Sequence, residues 1–127
     1  MPKLMALRFY FPHSARASHS RLWHHLSRPA LAAHLLKLAR RHGISQATLI
    51  HVEAGYLQGD IRVRQRHVEL THTRLPQCLE LIDAEETIRA FVDAHQNELA
   101  NVRVLLLPCE PVMPASQPEQ LAKDKSK

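Results

Sequence analysis

Arginine stands at every second position in Arg62-Val63-Arg64-Gln65-Arg66, and histidine and glutamate are two apart in His51-Val52-Glu53 and His67-Val68-Glu69. In an extended chain, residues two apart project to one side. Arg62, Arg64 and Arg66 then present a row of guanidinium groups that can fork onto carboxylate or phosphate oxygens. Each His–Glu pair sets an imidazole beside a carboxylate, a donor set for a borderline divalent cation. Three candidate sites follow from these residues. Arg62, Arg64 and Arg66 form a surface for an anion or an acidic partner, and His51, His67, Glu69 and His72 form a metal-ligating set. His51, Glu53, Gly55 and Tyr56 form an effector contact.

Other chemistry is poorly supplied. Ten histidines include no HExxH and no helical His-x-x-x-His pair, and there is no Cys-x-x-Cys, so the local metal signal is thin. With only three glycines there is no phosphate-cradling loop, and no serine or cysteine sits in a nucleophile elbow. We expect binding rather than catalysis. Nucleic acid is not expected either: aromatic residues are 5% of the chain, and while Phe9 or Phe11 could stack on a base, the third strand offers Cys78, Glu80 and Ile82 to the same platform.

The elements that must position these residues are legible in order. Lys3 to Phe11 reads as a first strand, apolar on both faces and so central in a sheet, ended by Pro12. A polar connection over 13–27 carries His13, His19, His24 and His25. A helix runs from about Arg28 to His42, with Ser27 and Pro29 as start signals and Gly43 as its stop. Ala47 to Ala54 is the second strand, with Thr48, Ile50 and Val52 expected beneath the helices. The third strand, Gln77 to Asp83, is separated from it by an arm, Tyr56 to Arg74, too long for a hairpin turn. Asp83 and Glu86 have the spacing of a capping box before a helix with the apolar stripe Ile88, Phe91, Val92 and Leu99. Val102 to Leu107 is the last strand, stopped by Pro108, and residues 110–127 have the composition of a disordered tail.

Length and composition agree with one domain, residues 1–109, around one core: 127 residues, 45% hydrophobic and 23% charged. No run of about 18 apolar residues exists to make a transmembrane segment. Two cysteines fit a reducing compartment, and with no secretory h-region we expect a cytoplasmic protein. The net charge of +5 is uneven, since no acidic residue precedes Glu53. That asymmetry reads equally as a solvated basic face or as a surface for an anionic partner.

Strand, helix, strand, strand, helix, strand is the split βαβ pattern of the ferredoxin-like fold, an α+β class with one antiparallel sheet and two helices on one face. Right-handed crossovers give the strand order four, one, three, two. The other face of the sheet is left bare, with apolar residues such as Leu49 on it, which predicts burial by oligomerisation.

The chain resembles the PII-like bacterial family known as domain of unknown function 190. The resemblance rests on Leu7-Arg8-Phe9-Tyr10-Phe11, on Arg28-Pro29 opening a helix that ends Ala39-Arg40-Arg41-His42-Gly43-Ile44, and on Gln46-Ala47-Thr48-Leu49 and Ala54-Gly55-Tyr56. Leu75-Pro76, Leu81-Ile82-Asp83-Ala84-Glu85-Glu86-Thr87-Ile88 and Phe91 continue it, so that it covers roughly Leu4 to Val104. What it implies is a homotrimer that binds a small effector in clefts between subunits and signals through the arm to a partner, such as a membrane transporter. A nucleotide or a divalent metal is the implied cofactor class. The acidic run Asp83, Ala84, Glu85 and Glu86 argues against ATP held as in PII signalling proteins, because carboxylates repel phosphate. The alternative is a trimeric metal-binding protein similar to CutA, with His51 meeting its symmetry mates.

Overall fold

A computed structural model of the chain describes residues 3–17 and 29–113. Its elements are β1 (Leu4–Pro12), α1 (Leu31–His42), β2 (Gln46–His51), β3 (Ala54–Gly55), β4 (Arg64–Gln65), β5 (Pro76–Ala84), α2 (Glu85–Ala94), α3 (Gln96–Leu99) and β6 (Arg103–Cys109). The long strands form one antiparallel sheet in the order β2-β5-β1-β6. This is the expected order, read from the opposite edge. The fold is ferredoxin-like α+β, with β1 central as its apolar composition demands.

Register decides the two faces. Leu7 lies opposite Leu81 and Phe9 opposite Leu79, and on the other side of β1 Leu7 meets Leu106 and Phe9 meets Val104. With Met5 and Phe11, these residues join Leu31, Leu35 and Ala39 of α1 and Ile88 and Phe91 of α2 in the core. Phe9 and Phe11 are thus buried beneath the helices, away from any stacking platform. The even-numbered residues of β1 face the opposite way. There Arg8 Nε donates to Glu80 Oε2 at 2.8 Å, flanked by Leu105, opposite Arg8 on β6, and by Thr48, opposite Glu80 on β2.

Several sequence expectations are corrected. Leu49 lies opposite Leu79 and packs against the core, whereas Thr48 and Ile50 lie opposite Glu80 and Cys78 on the open face. The parity of β2 is therefore the reverse of the one expected. Each set offers a large apolar residue, Leu49 in one and Ile50 in the other, and only pairing with β5 selects between them. Asp83 does not cap a helix: β5 continues to Ala84, and the Asp83 carboxylate accepts from the Ala84 and Ser45 backbone N–H groups at 2.7 and 2.8 Å. α1 begins at Leu31, with no side-chain cap. Pro108 does not stop β6, which runs on to Cys109. β6 is an edge strand, and a proline is tolerated where no ladder N–H is needed. The cysteines sit opposite residues six apart on β1, Cys78 across from Tyr10 and Cys109 across from Leu4. That is roughly 20 Å along the strand, far beyond disulfide reach. Residues 18–28, in the polar connection, and 114–127, in the tail, lie outside the described residues.

Candidate functional site

The arm is compact. β3 and β4 close a short antiparallel ladder, Ala54 opposite Gln65 and Gly55 opposite Arg64, and the Arg66 N–H extends it by donating to the Glu53 carbonyl at 2.8 Å. Between the two strands, Asp60 Oδ2 accepts from the Leu57 N–H at 2.7 Å and the Asp60 N–H donates to the Leu57 carbonyl at 3.0 Å. Gly59 in this turn has φ 91°, a left-handed conformation that favours glycine. After β4 the chain turns again, the Val68 and Glu69 N–H groups both donating to the Gln65 carbonyl. On its return it is fastened to the end of β1, where His13 N–H donates to the Leu75 carbonyl and Ser14 N–H to the Thr73 carbonyl.

This folding breaks the expected arginine row, since only Arg64 and Gln65 are in a strand. Arg64 Nη1 donates to Glu69 Oε1 at 3.1 Å, and both side chains are about one-seventh exposed. Arg66 turns to the other side, where Nη1 lies 3.3 Å from His72 Nδ1 and Nε 3.9 Å from Glu53 Oε1. Arg62, 3.8 Å from Glu69 Oε2, is the one that projects into solvent, with a side chain 67% exposed. Of the three arginines, one remains a surface group and two are built into the arm.

The histidines of the sequence reading are likewise separated. His51 Nδ1 lies 3.3 Å from His13 Nε2, with the rings stacked at 5.0 Å. His72 is engaged by Arg66, Glu69 by Arg64 and Arg62, and His67 is exposed on the turn after β4. Among the described residues, no group of three or more His, Cys, Asp or Glu is placed to hold a metal ion. His51, His67, Glu69 and His72 therefore do not form a ligand set within one chain. His13 holds its proton less firmly than an ordinary histidine, first because burial desolvates the imidazolium and then because His51, Arg66 and His72 add positive charge around it.

Sequence reasoning missed His13 as a site residue, because it stands 38 positions from His51. The pairing explains their meeting. Phe11 and His51 both lie opposite Gln77, so the ends of β1 and β2 flank one residue of β5. Glu53 and His51 stand at the root of the arm. Tyr56 faces another cleft, of about 500 Å³, lined by Tyr10, Leu57, Gln58, Arg103 and Leu105, where Arg103 Nη1 donates to Gln58 Oε1.

A ferredoxin-like domain with one sheet face uncovered among the described residues, and a folded arm between its second and third long strands, has the architecture of the PII-like class. Residues 4–110 match the model of the family DUF190, described as "Uncharacterized ACR", and the chain belongs to this family. Among solved structures, it is similar to CPII, a nitrogen regulatory PII-like protein from Thiomonas intermedia K12, determined with ADP, AMP and bicarbonate. That likeness has a TM-score of 0.57 and 11% identity, covering 88% of this chain and 91% of that one. CutA1 from Oryza sativa is similar with a TM-score of 0.50 and 11% identity, over 88% of this chain and 84% of that one. Identities this low establish the shared fold. No curated protein matches the sequence. No helix among the described residues is long and apolar enough to cross a membrane.

Proposed function

We propose that this is a PII-like regulatory protein, a homotrimer that binds a small effector between subunits and reports it through the arm to a partner, by binding rather than by catalysis. The sheet face left uncovered among the described residues is the observation that carries this reading. Ile50 and Leu105, 42% and 39% exposed, lie on that face on either side of the Arg8–Glu80 pair. An apolar sheet face of this kind is stabilised when other copies cover it. The Tyr56 cleft includes Tyr10, Arg103 and Leu105 of the same face, so association through the face would close over it. This supports an effector held between subunits. Adenine nucleotides and bicarbonate, the ligands of CPII, are the first to try. A membrane transporter is the partner class that the resemblance suggests, and Arg62 is an outward cation of the arm for it.

Native mass spectrometry, with and without adenine nucleotides, bicarbonate and divalent metals, tests the proposal. A trimer that gains up to three effector molecules is the expected result. A trimer that takes up only metal would favour the CutA-like alternative, and a monomer would overturn both.

A further inference from the structure

We propose that the arm carries an oxyanion site of its own, complete within one chain, that takes a phosphate group. The arm borders an open cleft of about 420 Å³ whose polar wall is Arg62, Arg64, Glu69, Thr71, Thr73 and Arg74, within the size range of small-ligand pockets. Three guanidinium groups face one carboxylate, so the cleft carries two positive charges in excess.

The donors are held unequally. Arg64 is fixed by Glu69 through Nη1, yet its Nε is buried and has no acceptor among the described residues. A buried guanidinium N–H with no partner is costly, and an oxygen placed against it removes that cost. Arg62 touches Glu69 only at 3.8 Å and can turn towards a ligand. Arg74 is exposed and, among the described residues, has no carboxylate partner. Thr71 Oγ1 and Thr73 Oγ1 are 3.2 Å apart, so one hydroxyl hydrogen is used between them and the other is left to donate. Planar N–H forks and a hydroxyl, with no aromatic ring among the lining residues, suit a compact, multiply charged oxyanion better than a flat base. Val68 and Leu70 complete the wall and would lie beside a small apolar group carried by that phosphate. The site needs no residue of a second copy. It is therefore separate from the effector clefts proposed between subunits, and it survives if those clefts prove empty.

The test is isothermal titration calorimetry of the full chain at low ionic strength, with inorganic phosphate in one arm and glycerol phosphate in the other. Either ligand, saturating at one per chain and bound about tenfold more weakly by Arg74→Gln, is the expected result, the loss matching one charge-assisted hydrogen bond. The arm that binds tells free phosphate from a phosphomonoester. Arg40→Gln, in the last turn of α1, is the control for net charge. Binding of neither ligand would overturn the proposal. So would an equal loss in Arg40→Gln and Arg74→Gln, which would mean attraction by total charge. Amide shifts confined to residues 62–74 on phosphate addition place the ligand independently of any variant, and shifts elsewhere would refute the site.

Discussion

His13 ties the arm's root to β2, and its environment makes that tie sensitive to pH. Its pKa lies below the ordinary 6.5 because burial, then His51, Arg66 and His72, disfavour the imidazolium. Glu53, on the far side of Arg66, is the cluster's carboxylate. The native state thus binds this proton more weakly than the unfolded chain does. Stability is undiminished above about pH 6.5 and is lost as pH falls below it. His95, lowered first by burial and then by His42, adds a loss of the same sign. Urea midpoints at pH 7.5 and pH 5.5 should show the fall, and His13→Asn should make it shallower; an unchanged slope would remove His13 from the effect. Phe91 gives the comparison for a core apolar side chain, measured at pH 7.5, because its ring also packs on His95 and His42. It is fully buried against Phe9, with ring centroids 6.4 Å apart, and Phe91→Ala should cost about 3–5 kcal/mol by the same measurement.

Among the elements, α1 ends by a mechanism already visible in its residues. Gly43 has φ 82°, and its N–H and that of Ile44 donate to the carbonyls of Arg40 and Ala39. An added Cβ there meets nothing within 4 Å, so Gly43→Ala pays for the left-handed backbone alone, about 1 kcal/mol in chemical denaturation. The arm depends on Glu69 instead. Glu69→Gln weakens the acceptor of Arg64 and Arg62, an interaction of about 1.5 kcal/mol for a charge-assisted pair. Hydrogen exchange over residues 62–70 should then rise by about tenfold while β1 and β5 remain protected. If the arm's exchange did not change, the ion pair would not be what holds it.

At the scale of the whole molecule, the open face is the feature to challenge. Leu105→Glu would put a second carboxylate beside Glu80 and Arg8 at the centre of the proposed contact. Uncompensated charge in an interface core costs several kcal/mol, enough to dissociate a trimer at micromolar concentration. Native mass spectrometry should show monomers, with the far-ultraviolet circular dichroism unchanged because Leu105 is not part of the helix-side core. An intact trimer would place the interface elsewhere. Arg62→Glu, on the exposed part of the arm, should leave the oligomer whole and abolish partner capture.

What the sequence determined by itself is what local physics determines. The apolar run of β1 marks a central strand, the stripe of α1 and its terminal glycine mark a helix and its end, and the order of elements leaves few ways to connect them. The length of the arm was also readable, as was its polar character. Its conformation was not, because an alternating Arg–x–Arg–x–Arg pattern fits an extended ribbon as well as a folded loop. Contact with Glu53 across the β3–β4 ladder, and with Glu69 and His72 once the chain turns back after β4, chose the loop. The arginine cleft is built within the arm, from residues 62–74. The parity of β2 and the meeting of His13 with His51 depend on the register of strands far apart in sequence, and a shift of one residue would have turned β2 over.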